Sequence, residues 1–463
     1  MLKVAIVGAG PAGFFAAAEL LRKEGCAVDV FDRLPAPFGL VRHGVAPDHP
    51  AIKSVTERYD AAAKGAGARF RLLGNVEVGR SLALDELRER YHAVVLAYGA
   101  QSSRRLGIDG EDLAGVYSAS EFVGWYNGHP DCAAAGFDLS ARRAVVVGVG
   151  NVALDVARIL LKPLAELART DISDLALSAL ALRDVEEVVL LGRQGPAQAA
   201  FTPPELAEMA QIDGADLVIA PEDRELDPET DSRAARGTLD PLAERKLKAL
   251  ARAQPAPRPG RRIARVRFWT SPVEIVGRGR VEGVRVRRNR LVRGPDGLGR
   301  LEAIGQSELV ECGLVFRSIG YRVQAFQGVP FDSAAGVVPH RHGQVMREGV
   351  PEPGLFVTGW AKRGPRGVIG SNKPDAQETA RCLLEAYHAG ALPPPRCGQD
   401  VEALLSSRKV PFVSYPEWQL LDSLEVEAGR AAGRPRRKFT DAPSMLRALA
   451  EGDQGDAERA GGE

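Results

Sequence analysis

The chain has 463 residues, of which 45% are hydrophobic and 26% are charged. This length exceeds what one hydrophobic core usually supports, so we expect two or three domains of an ordinary globular protein. Lys and Arg number 61 against 60 Asp and Glu, which gives a net charge of +1. A global polyanion binder carries a large excess of one charge, so the composition excludes that class and leaves only local charged patches.

No membrane span and no targeting segment are predicted. The sequence lacks a run of about 18 apolar residues, the minimum that marks a candidate membrane helix. Its first residues, Met1–Gly8, already have the composition of a strand, so we expect no signal or transit peptide and a cytoplasmic protein.

The first elements in chain order form a βαβ unit. An apolar strand at Lys3–Val7 is followed by a helix at Pro11–Arg22 and a second strand at Val28–Asp32. Strands that alternate with helices in this way predict a parallel sheet.

The same pattern returns about 140 residues later, a spacing too long for a solenoid repeat. It consists of a strand at Arg143–Val147, a helix at Asn151–Leu161 and a strand at Val188–Leu191. We therefore predict an α/β fold with two Rossmann-like dinucleotide-binding domains, each built on a parallel sheet.

Two further strands end in stretches that contain Gly, and we interpret them as the points where the chain leaves and re-enters the first domain. They are Val94–Ala100 and Leu314–Tyr321. The predicted domains are a discontinuous one at 1–103 and 323–463 and an inserted one at 104–322. The polar, Pro-rich segment Thr230–Arg261 is predicted to be a surface excursion.

The first glycine-rich motif, G-x-G-x-x-G, lies between the first strand and the first helix. Gly8 allows a tight turn, Gly10 lets a pyrophosphate approach the backbone, and Gly13 lets the helix pack on the strand. The helix N-terminus offers unpaired N–H groups to the phosphates. Asp32 ends the second strand, where a carboxylate can bind ribose hydroxyls. The motif in this context predicts a dinucleotide site, although a Gly-rich turn of another α/β fold is the alternative.

The second motif, Gly148–Ala153, has the G-x-G-x-x-A form, and the strand that follows its helix ends at Arg193 rather than at a carboxylate. An arginine can pair with a 2′-phosphate that a carboxylate would repel. This site therefore predicts NADP(H), with a solvated loop arginine as the alternative. Two nucleotide sites in one chain indicate a flavoprotein with FAD in the first and NADPH in the second.

The cysteines restrict where the electrons can go. The five are Cys26, Cys132, Cys312, Cys382 and Cys397, and none lies within three residues of another. This spacing forms neither a CxxC dithiol nor a Cys-ligated cluster, and no metal site is predicted. The possible acceptors are then oxygen, a quinone, a small organic substrate or an external electron-carrier protein.

Several longer segments resemble one family, the adrenodoxin reductase-like ferredoxin–NADP⁺ reductases. They are Phe38–Pro50, Gly74–Gly79, Phe122–Gly128, Gly148–Leu161, Ala199–Leu206 and Gly359–Asn372. The resemblance covers residues 1 to about 380 and continues in shorter matches beyond. It implies the inserted two-domain arrangement, and a reaction in which FAD mediates electron transfer between NADPH and an iron–sulfur ferredoxin.

The resemblance also implies which residues hold the two cofactors. The FAD contacts fall on Gly8, Gly10, Ala12, Gly13, Asp32, Gly39, Leu40, Val76, Trp360, Gly367, Val368 and Ile369. The NADP contacts fall on Arg104, Gly150, Asn151, Val152, Ala153, Arg193, Gln194, Glu205 and Gly367. The family usually has two adjacent arginines at the 2′-phosphate, whereas this chain has Arg193 and Gln194. We therefore expect a preference for NADPH that is weaker than usual.

Three titratable residues are candidates for proton handling at the flavin by the same resemblance. They are His49, Asp155 and Glu205. A flavin that takes a hydride and gives single electrons must manage a proton, and a histidine titrates in the right range. The alternative is positional, with His49 fixing a loop and Asp155 orienting a neighbour.

Ferredoxins are usually acidic, so the resemblance also implies a basic docking face. Arg245, Lys248 and Arg252 share one face if residues 241–253 form a helix. The stretch Arg261–Arg300 holds 12 arginines against three acids, and a solvated charged face is its alternative interpretation. The aromatic residues among these arginines are limited to the adjacent Phe268 and Trp269 and do not alternate with the charges, so nucleic acid is not an expected partner.

A third basic group, formed by Lys362, Arg363 and Arg366, is placed beside the flavin by the resemblance. Two rival functions stay open at this point. One is an NADPH oxidase or quinone reductase of the same fold, and the other is a non-catalytic nucleotide-sensing module.

Overall fold

The computed structural model describes residues 1–293 and 299–460. The strands, in chain order, are β1 Leu2–Val7, β2 Cys26–Phe31, β3 Phe70–Leu73, β4 Ala93–Leu96, β5 Ser102–Ser103, β6 Val116–Ser118, β7 Arg143–Val147, β8 Glu187–Leu191, β9 Ala215–Val218, β10 Arg262–Arg267, β11 Thr270–Val276, β12 Gly283–Arg293, β13 Gly299–Glu311, β14 Leu314–Arg317, β15 Tyr321–Arg322, β16 His340–Arg341, β17 Gln344–Arg347 and β18 Val350–Val357.

The α-helices, in chain order, are α1 Pro11–Leu21, α2 Leu40–His43, α3 Pro50–Lys53, α4 Val55–Ala66, α5 Leu84–Arg90, α6 Ala119–Tyr126, α7 Asn151–Leu161, α8 Leu164–Leu167, α9 Asp174–Ala181, α10 Pro203–Met209, α11 Pro228–Ala235, α12 Pro241–Leu250, α13 Trp360–Arg363, α14 Asn372–His388, α15 Val401–Ser407, α16 Tyr415–Ala431 and α17 Ala442–Ala460. Among the described residues, no helix is both long enough and apolar enough to cross a membrane.

The chain divides into two compact units. Unit 1 contains Met1–Ser102, Asn127–Asp131 and the chain from Tyr321 onward, and unit 2 contains Ser103–Tyr126 and Cys132–Gly320. The domain boundaries predicted from the sequence, 103/104 and 322/323, lie within two residues of the divisions at 102/103 and 320/321. The sequence did not indicate that residues 127–131 return to unit 1.

Unit 1 is built on a seven-stranded sheet of order β16-β17-β18-β4-β1-β2-β3. The five strands from β18 to β3 are parallel, and β17 and β16 complete the edge in antiparallel pairing. Val, Ile and Ala dominate β1, and all but one of its six residues are buried. A strand of this kind is covered on both faces, as parallel sheets are. Helices α1 and α14 pack against each other, and both contribute buried residues to a hydrophobic core that includes residues of the sheet.

Unit 2 is built on a six-stranded parallel sheet of order β6-β14-β7-β8-β10-β9. Its central strands β7 and β8 are almost fully buried, and α7 contributes seven buried apolar residues to the same core. A separate antiparallel sheet, β11-β12-β13, belongs to the same unit.

In both parallel sheets the strand order reverses at the strand that precedes a glycine-rich turn. In unit 1 the central strand β1 has β2 on one side and β4 on the other, and in unit 2 β7 lies between β8 and β14 in the same way. Ligands of open α/β sheets bind at such switch points, beyond the carboxyl ends of the strands. The fold therefore places one candidate nucleotide crevice in each unit.

Candidate dinucleotide sites

The turn after β1 requires two of its glycines for packing and leaves space at the third. Gly8 has φ +113°, and a Cβ there would lie 2.5 Å from the Ala97 carbonyl oxygen. A Cβ on Gly13 would lie 2.0 Å from the Gly8 carbonyl oxygen. Gly10 has no heavy atom within 4 Å of the corresponding position, so an approaching phosphate meets open space and the N-terminus of α1.

Asp32 fixes this turn from the end of β2. Its two carboxylate oxygens accept hydrogen bonds from the backbone N–H groups of Ala9 (2.8 Å) and Leu34 (2.9 Å). Burial raises the pKa of the Asp32 carboxyl, and the two N–H donors only partly offset that effect. Each oxygen keeps a further lone pair that can accept from a ribose hydroxyl, so a role at the ribose stays a prediction.

Two loops complete the edge of the sheet around the turn. The backbone N–H of Phe38 donates to the Ala9 carbonyl at 2.8 Å, and a Cβ on Gly39 would lie 3.0 Å from the Gly10 Cα. The N–H of Val76 donates to the carbonyl of Asp32 at 2.8 Å. The segments predicted to contact FAD at Gly39 and Val76 are thus brought together with the glycine turn.

The segment after β18 supplies the remaining predicted FAD residues. Gly359 has φ +71°, and a Cβ there would lie 2.6 Å from the Cβ of Ala12. Trp360 starts the short helix α13, is half-buried and has its ring 5.1 Å from that of Tyr321. Gly367 also has a positive φ, +85°. It precedes Val368, which is 60% exposed, and therefore leaves an apolar side chain available to a ligand.

Asp375 on α14 anchors this segment, and sequence reasoning missed it. One of its carboxylate oxygens accepts from the Gly359 N–H (2.6 Å) and from Arg363 (2.9 Å), and the other lies 2.9 Å from Lys362 Nζ. Lys362 also pairs with Glu378 at 2.6 Å. No local pattern signals these contacts, because they join residues 12 to 16 positions apart on separate elements.

The suggestion that Lys362 belongs to a docking face is wrong. Its side chain is only 3% exposed, and both of its carboxylate partners come from α14. Its charge is therefore neutralised inside unit 1. Arg363 is also engaged with Asp375, whereas Arg366 is exposed.

The second glycine-rich turn repeats the geometry of the first. Gly148 has φ +130°, and a Cβ there would lie 2.2 Å from the Ser318 carbonyl oxygen at the end of β14. Helix α7 begins at Asn151, directly after Gly150. The Asn151 side-chain oxygen accepts from the Thr202 N–H at 2.8 Å, so its amide joins the turn to the start of α10. Val152 and Ala153 continue the first turn of α7.

Arg193 follows β8 with its side chain exposed. Within the described part of the chain, no carboxylate forms an ion pair with it, although most arginines of β10–β12 are paired with acids of unit 2. Gln194 is half-buried beside it. This turn therefore presents one guanidinium to an anion at the carboxyl edge of the sheet.

Asp155 and Glu205 are brought together through a buried arginine. Arg158 is 1% exposed, and its guanidinium lies 2.7 Å from Asp155 and 3.5 Å from Glu205. Asp155 projects from α7 and Glu205 from the first turn of α10. The two predicted acids thus share one cation at the start of these helices.

His49 and Arg104 lie at the ends of short elements. His49 in unit 1 caps α3, and its carbonyl accepts from the N–H of Ile52 at 3.2 Å. Arg104 in unit 2 donates its backbone N–H to Gly320 at 3.0 Å. Their predicted roles at a cofactor rest on the resemblance alone.

All five cysteines are free thiols. Burial raises the pKa of Cys26 to about 11 and that of Cys312 to about 12, which makes both poor nucleophiles at neutral pH. The chain therefore has no redox-active dithiol of its own.

Two parallel-sheet units with a glycine-rich turn at each switch point define the class of two-nucleotide oxidoreductases. The family described as pyridine nucleotide-disulphide oxidoreductase matches residues 2–211. The chain is 46% identical over 460 residues to the NADPH-ferredoxin reductase FprA of Mycobacterium tuberculosis, covering 96% of this chain and 98% of that protein. It is 45% identical over 462 residues to the mitochondrial NADPH:adrenodoxin oxidoreductase of Homo sapiens, covering 96% and 92%.

Among solved structures, FprA of Mycobacterium tuberculosis in complex with NADPH is similar with a TM-score of 0.90 and 45% identity, over 97% of this chain and 99% of that one. The chain belongs to the family of NADPH-ferredoxin and NADPH:adrenodoxin reductases. This confirms the resemblance found in the sequence, the predicted fold class and the assignment as an oxidoreductase.

Proposed function

We propose that the chain is an FAD-dependent reductase that transfers electrons between NADPH and a ferredoxin. One observation carries the proposal, namely that the chain matches an NADPH-ferredoxin reductase at 46% identity over nearly its whole length. The family match over residues 2–211 spans both glycine-rich turns.

Unit 1 fits FAD. The space left open at Gly10 and the N–H groups of α1 suit the pyrophosphate, and Asp32 has lone pairs available for a ribose. Trp360 and Ile369 offer apolar surface that can exclude water from a flat ring. When bound, FAD supplies the chemistry that links a two-electron donor to a one-electron acceptor.

Unit 2 fits NADP(H). Its glycine turn suits the pyrophosphate, and the unpaired Arg193 suits a 2′-phosphate. The remaining predicted contacts, at Val152, Ala153 and Gln194, surround the same edge of the sheet. We assign NADPH as the preferred coenzyme, with a preference reduced by the single positive charge at Arg193.

His49, Asp155 and Glu205 stay our candidates for proton handling. Both acids lie beside the buried Arg158, at 2.7 and 3.5 Å from its guanidinium, which holds the two carboxylates in one cluster. For His49 the support is the family resemblance and its half-buried position at the start of α3.

The basic docking face is assigned to α12 and the turn after it, because the helix ends at Leu250, short of the expected 253, and Arg252 lies in that turn. Arg245, Lys248 and Arg252 are exposed and line one groove of about 530 Å³ together with the exposed apolar Leu242. Cations around an apolar floor match an acidic carrier protein with a small apolar contact. Part of the positive charge of this face is neutralised within α12, because Lys248 pairs with Glu244 at 2.6 Å.

The stretch Arg261–Arg300 is a weaker candidate. Arg261 pairs with Asp216, Arg265 with Glu187 and Arg290 with Glu302. These pairs support the interpretation as a charged protein surface. A cytoplasmic location also stays a prediction, since relatives such as the human protein are mitochondrial.

An anaerobic titration of the purified protein with NADPH tests the proposed function. We expect a yellow protein whose flavin absorbance is lost in proportion to added NADPH. A protein that purifies without flavin, and takes none up on addition of FAD, would instead support a nucleotide-sensing module.

A further inference from the structure

We infer that Asn289 is a positioning residue for coenzyme selectivity, because it holds the turn that carries Arg193. The inference rests on the proposed function, and it adds the residue that keeps the 2′-phosphate contact in place. Asn289 lies on β12 of the antiparallel sheet, far from the glycine motif in sequence, and is only 7% exposed.

The turn after β8 is held by three consecutive carbonyls. The Gly192 carbonyl accepts from the Thr270 N–H at 2.8 Å, and the Gln194 carbonyl accepts from the Trp269 N–H at 3.2 Å. The carbonyl between them, that of Arg193, accepts from the side-chain amide of Asn289 at 2.9 Å. Asn289 therefore makes the one side-chain bond of this series, and it makes it at the residue that bears the guanidinium.

Asn289 is itself fixed on both sides. Its amide nitrogen also donates to Ser271 Oγ at 2.7 Å, and its backbone N–H donates to the Trp269 carbonyl at 2.7 Å. Trp269 has φ +55°, and a Cβ on Gly195 would lie 2.3 Å from its ring. The backbone on either side of Arg193 is thus held by hydrogen bonds and close packing, and the amide of Asn289 holds the carbonyl between them.

Rigidity at this turn affects selectivity more than overall binding. The Arg193 side chain is exposed, so its contact with a 2′-phosphate depends on how well its backbone is held. An adenosine that lacks the 2′-phosphate makes no such ionic contact with the guanidinium. Loss of the Asn289 bond should therefore weaken binding of the phosphorylated nucleotide only.

The test measures the dissociation constants of 2′,5′-ADP and 5′-AMP for the holoenzyme by titration calorimetry. Wild-type protein should bind 2′,5′-ADP more tightly. Asn289→Ala, and the isosteric Asn289→Asp, should each reduce that advantage by about five- to tenfold, the effect of one hydrogen bond, and leave the constant for 5′-AMP unchanged. Ser271→Ala is the control, because it removes the other partner of Asn289 and keeps the bond to Arg193.

A further comparison separates positioning from general destabilisation. In an Arg193→Ala background the Asn289→Ala change should have no effect on the ratio of the two constants, because both act on one contact. An unchanged ratio in both Asn289 variants overturns the inference alone. A wild-type protein that does not discriminate between the two ligands overturns the proposed NADP site as well.

Discussion

Coenzyme choice depends on very few residues in this fold. The turn after β8 carries one arginine where the family usually has two, and the neighbouring Gln194 is half-buried with its backbone carbonyl bound to Trp269. The backbone at 194 is therefore already placed, and only the side chain differs. A change of that side chain tests charge separately from geometry.

Gln194→Arg should raise the preference for NADPH over NADH by about 1–2 kcal/mol, because it adds a second charge-assisted bond to the 2′-phosphate. The measurement is kcat/KM with both coenzymes. Gln211→Arg, which makes the same charge change at an exposed residue outside the turn, is the control. An unchanged ratio, or a wild-type enzyme that uses NADH as well as NADPH, would contradict the assignment.

At the same scale, Asp375 neutralises the charges of Lys362 and Arg363, which follow Trp360 on α13. Asp375→Asn keeps the acceptor for Gly359 but leaves Lys362 and Arg363 without their shared carboxylate. We expect FAD to bind about tenfold more weakly, because removing one member of a buried ion network is strongly destabilising. The dissociation constant of the apoprotein for FAD, followed by quenching of flavin fluorescence, checks this.

Glu378→Gln is the matched control for Asp375→Asn. It removes the second partner of Lys362 but leaves every contact of Asp375 intact. Equal FAD affinities for the two variants would show that Asp375 has no special part in holding the segment.

Elements with a strong local pattern were predicted well. The spacing predicted a helix at Asn151–Leu161, and α7 has those bounds, because an apolar stripe and a glycine turn are both local signals. The strand predicted at Val94–Ala100 is shorter, and β4 ends at Leu96. After Leu96 the backbone bends at the switch point, which no sequence pattern marks.

The segment Thr230–Arg261, predicted to be a surface excursion, is largely exposed, but it is more regular than its composition indicates. This segment contains most of α11 and the whole of α12. Lys246 of α12 is buried and donates to the carbonyl of Ala199 at 2.5 Å. Pro241 stands at the N-terminus of α12, where proline is favoured, whereas Pro255, Pro257 and Pro259 lie in the loop that follows the helix.

The parts of the site that the sequence did not reveal depend on contacts between distant residues. Asn289 reaches Arg193 across 96 positions, and Asp375 reaches Gly359 across the gap between a strand end and a helix. Both act on backbone atoms, which carry no sequence signature. The glycine motifs were predictable because their chemistry and their local structure coincide.

At the scale of one element, α12 and the turn after it should govern the association with ferredoxin. Arg245→Glu combined with Arg252→Glu should raise the KM for ferredoxin about tenfold at low salt, since it replaces attraction with repulsion. Turnover with a small acceptor such as ferricyanide should not change. The measurement is the ferredoxin concentration dependence of turnover at two ionic strengths.

Arg278→Glu provides a control for the α12 variants, because it reverses the charge of an exposed arginine elsewhere in unit 2. A similar rise in KM for both sets would indicate a long-range charge effect. A double α12 variant with unchanged KM would mean that the carrier docks on another face.

At the scale of the whole molecule, a buried ion pair in unit 1 joins residues that are far apart in the chain. Arg42 makes two hydrogen bonds with Glu425, at 2.8 and 2.5 Å, and both side chains are buried. Burial opposes ionisation of Glu425, but Arg42 and Arg436 outweigh it and hold its pKa below the usual value. Stability from this pair is present at neutral pH and is lost in acid.

His43 adds a second source of acid sensitivity. Neither of its ring nitrogens has a hydrogen-bond partner in the described structure. Burial, and then the charges of Arg42, His129, Lys438 and Lys53, hold its pKa well below the usual value. The unfolded chain binds a proton near pH 6.5 that the folded chain resists, so stability falls as pH drops below that value.

His43→Leu should therefore reduce the loss of stability between pH 7 and about pH 5 by up to about 1.4 kcal/mol per pH unit. The thermal midpoint as a function of pH measures this, with the exposed His388→Leu as control. Parallel pH profiles for wild type and His43→Leu would show that another group is responsible.

Electron flow out of the protein is the property of the whole molecule on which the account depends. All five cysteines are free thiols, so the electrons must leave to an external acceptor, and the proposed acceptor is a ferredoxin. The most direct measurement is NADPH-dependent reduction of cytochrome c with and without an added ferredoxin. We predict a rate that rises severalfold with ferredoxin and saturates. An equal rate without ferredoxin would contradict the account and favour an NADPH oxidase or quinone reductase.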